Sequence, residues 1–291
     1  MPGMSDKTAL VVCGPTASGK SELSDALADR LTEARGRHVP TLVVDSMQVY
    51  RELPVITNQA RRRPAELFGI VSVTEEWSVA SHRARVDGIT GSETTTHFVL
   101  DAGTGMYLNA LLLDFPLAPR VSPELRKLAQ AQAAGEPNPR RAARNRELQL
   151  SGAGARGSIW EGELRYEMAI LYLRPGRPEI DASIAERSRK ITSEGHQEAS
   201  LLREMIEEGV EISPQVMDSV GVRELTQYLA GTLTLEQAED RIATRTRRFA
   251  RRQMRWFDKL ARTLEGRAKI TVVEDGHQLA SLHNMHGIIW S

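Results

Sequence analysis

The stretch Gly14-Pro15-Thr16-Ala17-Ser18-Gly19-Lys20-Ser21 constrains this chain more than any other. It sets a glycine, four residues, a second glycine, a lysine and a hydroxyl directly after the apolar run Ala9 to Cys13. Leu23, Ala26, Leu27 and Leu31 follow at helical spacing. Strand, glycine turn and helix in that order form a phosphate-binding loop. The glycines let successive N–H groups turn inward around phosphate oxygens, and the helix N-terminus adds partial positive charge. Gly14, Pro15, Thr16, Ala17, Ser18, Gly19, Lys20 and Ser21 are therefore the candidate phosphate cradle. Lys20 would reach the outer phosphate, and the Ser21 hydroxyl would ligate Mg2+. The loop does not by itself say which phosphate compound it holds.

The alternation of short apolar runs with helical patterns continues through Thr41 to Val44 and Phe98 to Leu100. This predicts an α/β fold, a P-loop NTPase-like parallel sheet flanked by helices. Gly36 closes the first helix and Pro40 precedes the second strand. From Ser122 to about Arg156 large apolar residues give way to Ala, Arg, Gln, Gly and Pro. We read a small, mainly helical inserted domain over 121–160, which divides the core into 1–120 and 161–291. Met168 to Leu173 resumes as a strand, and Ile180 to Gly195 has helical spacing and ends on glycine. Thr234 and Gln237 stand in the relation of a capping box, opening a long helix to about Leu260, and Lys269 to Val273 reads as one more strand.

Bulk properties narrow the class without choosing a function. Hydrophobic residues make up 41% and charged residues 26% of the 291, ordinary globular usage. No apolar run approaches the roughly 18 residues of a membrane span, and no leader pattern precedes the first strand, so a cytoplasmic protein without membrane contact is expected. Cys13 is the only cysteine, which excludes an internal disulfide and a cysteine-rich zinc site, and its apolar setting reads as a small buried hydrophobe. None of the seven histidines stands in metal-ligand spacing, and His82 and His97 read as structural or surface residues. Basic and acidic residues number 38 each, so any nucleic-acid footprint must come from clustering.

Asp45 follows Leu42, Val43 and Val44 at the carboxyl end of a strand, where open parallel sheets collect ligands. There an aspartate can hold magnesium in a nucleotide hydrolase, accept a proton from an incoming nucleophile in a transferase, or cap a helix. Asp101, after Val99 and Leu100 and before Gly103-Thr104-Gly105, is a second candidate for the metal. The local pattern leaves these roles open.

Clustering of charge is found near the C-terminus. At 100° per residue, Arg245, Arg247, Arg248, Arg251, Arg252 and Arg255 fall within an arc of about 160° on one helix. Ile242, Phe249, Trp256, Phe257 and Leu260 fall on another arc and are expected in the core. Such a basic stripe suits a nucleic-acid backbone, and a solvated face paired with carboxylates is its competitor.

Beyond the P-loop, Asp45-Ser46-Met47-Gln48-Val49-Tyr50-Arg51, Gly103-Thr104-Gly105-Met106-Tyr107-Leu108, Leu171 to Pro175, Val220 to Leu225 and Arg248 to Phe257 succeed one another along the chain. In this order the motifs resemble those of the tRNA dimethylallyltransferases, the IPP transferase family, over nearly all of the chain but its last thirty or so residues. The resemblance implies transfer of a dimethylallyl group from dimethylallyl diphosphate to the N6 amine of the adenine beside the tRNA anticodon. The P-loop then binds prenyl diphosphate in place of the ATP that its motif suggests. Asp45 is implied as general base, Thr104 as neighbour of the leaving oxygen and Arg223 as a diphosphate ligand. The anticodon stem-loop is implied to meet Asp45, Ser46, Met47, Gln48, Thr104, Arg248, Arg251, Arg252, Gln253 and Arg255. Arg141 and Arg144, which with Glu147 keep the spacing of the family's inserted domain, are implied as further contacts. A monomer is expected.

Three features depart from the family pattern. Leu67-Phe68-Gly69 stands where relatives carry His-His-Leu, Ala102 replaces the first glycine before the Gly103-Thr104-Gly105 turn, and the insertion is short. All three leave Lys20, Ser21, Asp45, Thr104 and Arg223 in place, so they bear on the acceptor more than on the reaction. The nearest rival is an adenylate isopentenyltransferase acting on AMP, ADP or ATP, which has no use for an extended arginine face. A P-loop kinase or ATPase leaves the Asp45 to Arg51 motif unexplained.

Overall fold

The computed structural model describes residues 5–117, 121–137, 139–152 and 158–274. Its centre is a five-stranded sheet in which β1 (Ser5–Cys13), β2 (Thr41–Val44), β3 (His97–Ala102), β6 (Tyr166–Leu173) and β7 (Lys269–Val273) lie in the order β2-β3-β1-β6-β7. Every pairing is parallel, with Cys13 opposite both Ala102 and Tyr172, and Val44 opposite Ala102. Parallel strands buried on both faces must be apolar along their whole length. Leu10, Val11, Val12, Leu42, Val43, Val99, Leu100 and Ile170 accordingly have almost no exposed surface.

Helices return the chain between strands. α1 (Lys20–Arg35) begins in the glycine loop and stops at Gly36, whose φ of 62° is the left-handed conformation glycine adopts without penalty. Its Leu23, Leu27 and Leu31 pack with Leu10, Val12 and Leu171 of the sheet. α2 (Val79–Thr90) is capped by the Ser78 side chain, and α3 (Gly105–Leu112) follows β3 directly. After β6 come α6 (Arg177–Glu194), α7 (His196–Glu207), α8 (Pro214–Met217) and α9 (Val222–Leu229). The predicted strands, the Gly36 and Gly195 stops and the final strand over Lys269 to Val273 are all present; α7, α8 and α9 were not legible in the sequence pattern.

α10 (Leu235–Leu264) opens on a reciprocal capping box. Thr234 Oγ1 accepts the N–H of Gln237 at 3.2 Å, and Gln237 Oε1 accepts the N–H of Thr234 at 3.0 Å. The helix runs one turn beyond the predicted Leu260. Its buried line passes through Ile242, Thr246, Ala250, Gln253, Phe257 and Leu260, so Phe249 and Trp256, expected in the core, are only half-buried. The physical reason is that small Ala250 and hydrogen-bonded Gln253 take the innermost positions, which rotates the two large rings to the flanks. Tyr172 Oη donates to Met254 O at 3.1 Å and to Asp258 Oδ1 at 2.9 Å, anchoring α10 to β6.

The chain divides into two compact units, residues 1–112 with 164–291, and residues 113–163. In the smaller unit α4 (Pro123–Gln132), capped by Ser122, and α5 (Pro139–Leu150) pack together with Ala129, Ala133 and Ala143 buried. Short strands β4 (Leu113–Asp114) and β5 (Glu163–Leu164) pair with each other. Within the described residues no helix is long and apolar enough to cross a membrane.

Candidate active site

Parallel strands in register bring their carboxyl ends level, so the loops after β1, β2 and β3 meet at one edge of the sheet. The first is Gly14 to Ser21. Gly14 has no room for a side chain, since a β-carbon there would lie 2.8 Å from Leu173 O and 2.9 Å from Ser18 Oγ. Ala17 (φ 63°) and Gly19 (φ 78°) turn left-handed to curl the loop, and Ala17 packs on Ile180, Ile184 and Ala250. Ser18 Oγ is buried without a hydrogen-bond partner, which leaves a hydroxyl for a ligand oxygen. The N–H of Thr16 is committed elsewhere, donating to Gln253 Oε1 at 2.8 Å.

Lys20 is half-buried, and its ammonium reaches Pro15 O at 3.5 Å. Burial pulls its pKa below the ordinary lysine value, while the carboxylates of Asp101 and Asp45 hold it up. Asp101, at the end of β3, accepts at Oδ2 from Arg61 Nη1 at 2.5 Å, and Arg61 Nη2 donates to Asp25 Oδ1 at 2.6 Å, all three side chains being buried. The second oxygen, Asp101 Oδ1, is buried without a partner.

Asp45 uses its two oxygens differently. Oδ1 accepts the N–H groups of Met47 at 2.8 Å and Gln48 at 3.3 Å, a local turn that fixes the carboxylate. Oδ2 faces Gly103, where a β-carbon would stand 2.6 Å from it and 3.3 Å from Lys20 Cε. Val44 O receives the N–H of both Gly103 (3.1 Å) and Thr104 (3.0 Å), and Thr104 Oγ1 accepts the N–H of Ser46 at 3.1 Å. The β2 and β3 loops are thereby stitched together around Asp45.

The neighbours of Asp45 are held from several directions. Gln48 Nε2 donates to the carbonyls of Thr57 (3.1 Å) and Asn58 (3.0 Å). Gln215 Nε2 donates to Ser46 O at 3.0 Å and reaches the Met47 sulfur at 3.8 Å. Residues 69–71 donate to the carbonyls of Gln48 and Val49, so Leu67-Phe68-Gly69 runs into a segment that buttresses the motif. Gly105 lies against Trp256, whose Nε1 donates to Asn109 Oδ1 at 3.0 Å.

The predicted cations separate into distinct settings. Arg223, at the start of α9, is mostly exposed and lies 3.6 Å from Asp218. Among the described residues no hydrogen bond or ion pair joins it to the P-loop. The sequence reading missed Arg187 of α6, which donates to Ile56 O at 3.3 Å and whose charge is felt by both Asp45 and Lys20. Burial lowers its pKa and Asp45 opposes that shift. Nothing in its local sequence marks it, because its importance comes from α6 passing under the loop at Ala17.

On α10, Arg245 pairs with Glu224 at 2.5 Å and Arg247 with Asp181 at 3.4 Å, so these two serve the fold. Arg248, Arg251, Arg252 and Arg255 are exposed, and Arg252 stacks over the Phe249 ring at 5.8 Å. In the smaller unit Arg144 is paired with Glu147 on its own helix, and the side chain of Arg141 lies outside the described residues.

A phosphate loop on a parallel sheet, with a fixed carboxylate and lysine at its mouth, defines an α/β P-loop protein. Residues 48–260 match the family model described as IPP transferase. The chain is 58% identical over 283 residues to the tRNA dimethylallyltransferase of Rubrobacter xylanophilus, covering 96% of this chain and 97% of that one. It is 32% identical over 281 residues to the tRNA dimethylallyltransferase of Thermobifida fusca, covering 86% of each. The crystal structure of the tRNA isopentenylpyrophosphate transferase of Bacillus halodurans superposes with a TM-score of 0.67 at 25% identity, covering 96% of this chain and 95% of that one. The Staphylococcus epidermidis tRNA delta(2)-isopentenylpyrophosphate transferase shares the fold with a TM-score of 0.65 at 19% identity, covering 96% and 99%. The chain belongs to the IPP transferase family.

Proposed function

We propose that this chain transfers the dimethylallyl group of dimethylallyl diphosphate to the N6 amine of the adenine beside the tRNA anticodon. The observation that carries the reading is Gly103, against which Asp45 Oδ2 and Lys20 Cε both pack, 2.6 Å and 3.3 Å from its missing β-carbon. A base and a phosphate-directed cation thus face one point at the mouth of the cradle. Breakage of the allylic carbon–oxygen bond leaves negative charge on the departing diphosphate and positive charge on the prenyl carbon. Fixed cations and N–H donors lower the barrier where that charge develops. The N–H groups of residues 17–21, the Ser18 hydroxyl, Lys20 and Arg187 supply them, with Thr104 beside the leaving oxygen and Arg223 as an outer ligand.

The adenine amine is a weak nucleophile because its lone pair is delocalised into the ring, and Asp45 Oδ2 takes the proton it loses on alkylation. Bound through Oδ1 to two N–H groups, the carboxylate keeps its orientation during the transfer. The exposed face of Arg248, Arg251, Arg252 and Arg255 suits the phosphates of a folded RNA and exceeds what a free mononucleotide needs. Ser46, Met47 and Gln48 line the same edge beside the acceptor base, and Arg141 and Arg144 of the inserted unit are further tRNA ligands in this reading.

Magnesium fits the donors present. Ser21 at the start of α1 and the unpartnered Asp101 Oδ1 are hard oxygen ligands. Among the described residues no group of three or more His, Cys, Asp or Glu forms a metal cage, so phosphate oxygens and water would complete the shell. When bound, the ion would neutralise charge on the diphosphate.

The test offers radiolabelled dimethylallyl diphosphate with unmodified tRNA, with AMP and with no acceptor. Label on tRNA is expected. Label on AMP alone would move the assignment to an adenylate isopentenyltransferase, and ATP hydrolysis without prenyl transfer to a kinase or ATPase. In the same assay Asp45→Asn should keep the fold, since an amide oxygen still accepts from Met47 and Gln48, and should lower kcat about a hundredfold.

A further inference from the structure

Gln253 is a polar side chain on the innermost line of α10, only 5% exposed. An amide has one acceptor and one donor end, and here both are used. Oε1 accepts the Thr16 N–H at 2.8 Å, and Nε2 donates to Gly103 O at 2.7 Å. The first bond turns the Pro15–Thr16 peptide away from the phosphate cradle and toward α10. The second holds the turn on which Asp45 Oδ2 and Lys20 Cε converge. No backbone ladder joins these two loops beyond Cys13 and Ala102, the last paired residues of β1 and β3. Past that point the Gln253 amide is the strut between them.

We infer that Gln253 is a positioning residue that sets the spacing between the diphosphate cradle and the Asp45 carboxylate, and that it is not a tRNA contact. The inference rests on the transferase reading given above. The spacing matters because alkyl transfer requires leaving group, carbon and nucleophile in line, and a misplacement of about 1 Å can cost a hundredfold in rate. Length and polarity are both needed. Asparagine carries the same groups but is one methylene too short to span both partners. Methionine has the length and leaves a buried N–H and a buried carbonyl unpaired. The same helix turn presents Arg251, Arg252 and Arg255 outward, so one rigid element carries both the strut and the basic face.

The experiment measures three quantities for wild type, Gln253→Asn and Gln253→Met: affinity for inorganic pyrophosphate with Mg2+ by calorimetry, affinity for an anticodon stem-loop by filter binding, and kcat and KM for prenyl transfer. Both variants are expected to bind the stem-loop within about twofold of wild type. They should lose about tenfold in pyrophosphate affinity and lower kcat by a similar factor. A weakened stem-loop with pyrophosphate binding intact would make Gln253 a tRNA contact and overturn the inference. Unchanged behaviour in both variants would overturn it as well, and so would loss of both ligands together with a lower melting temperature, which marks a core residue only. Wild type failing to bind pyrophosphate would instead count against the proposed function.

Discussion

Gly103 and Asp45 sit so close that a single added carbon would displace the base: a β-carbon on Gly103 would lie 2.6 Å from Asp45 Oδ2. Gly103 does not have a positive φ, so the backbone itself would accept alanine. The glycine is there for the carboxylate. Gly103→Ala should therefore melt within a few degrees of wild type yet lose about a hundredfold in kcat, because Asp45 must swing off its two N–H donors or away from the acceptor. Equal kcat values for the two proteins in steady-state prenyl transfer would show that Oδ2 does not need its present position.

Arg187 and Arg223 offer a direct comparison of a half-buried and an exposed cation. Arg187 has one long hydrogen bond to a carbonyl, and its charge is felt at Lys20 and Asp45; Arg223 is largely solvated beside Asp218. An ion in a poorly solvated site acts on a neighbouring charge more strongly than one screened by water. Arg187→Met should raise KM for dimethylallyl diphosphate about tenfold or more, and Arg223→Met by a smaller factor. Initial rates over a range of diphosphate concentrations decide between them, and the reverse order would place the diphosphate at α9.

The arginines of α10 should divide by their partners. Each cation that neutralises an RNA phosphate releases counterions, so its removal lowers the salt dependence of binding by about one phosphate's worth. Arg251→Ala and Arg255→Ala should weaken stem-loop binding and flatten its slope against log salt. Arg245→Ala should instead lower stability, since it strands the buried Glu224 that Arg245 holds at 2.5 Å. Binding isotherms at several salt concentrations, read beside melting curves, separate the two classes.

Acid should weaken the fold through His82. This residue is fully buried beneath Trp77, whose Nε1 donates to His82 Nδ1 at 3.2 Å, and burial holds its imidazole down at about 4. The folded pKa is below the unfolded value of 6.5. Between the two, the unfolded chain takes up a proton that the folded chain refuses, and stability falls as pH drops through that window. The loss should be about 2 kcal/mol at pH 5 relative to pH 7, levelling off below pH 4. Urea unfolding at both pH values, with His82→Gln as control, isolates the effect as the difference between the two proteins.

How far the site was legible depended on how locally each part is built. The glycine loop, the Gly36 stop and the Thr234–Gln237 capping box are each formed by residues a few positions apart, and all could be read from spacing alone. The arginine stripe was read as a unit because helical phase puts its members on one arc. Phase cannot show that Glu224 and Asp181 stand opposite two of them. The same limit misplaced Phe249 and Trp256, whose depth is set by what packs beside α10.

By itself the sequence determined the parallel P-loop core and the phosphate cradle, since these rest on backbone preference, periodicity and short spacing, and the order of its motifs carried the resemblance to the family. Only the tertiary structure decided that Gln253 reaches Thr16 across 237 positions, that Arg61 joins Asp25 to Asp101, and that Arg187 stands near Asp45. Those relationships arise when sheet order and helix packing bring distant segments to one edge, and the chemical identity of a lone Gln or Arg carries no mark of the partner it will meet.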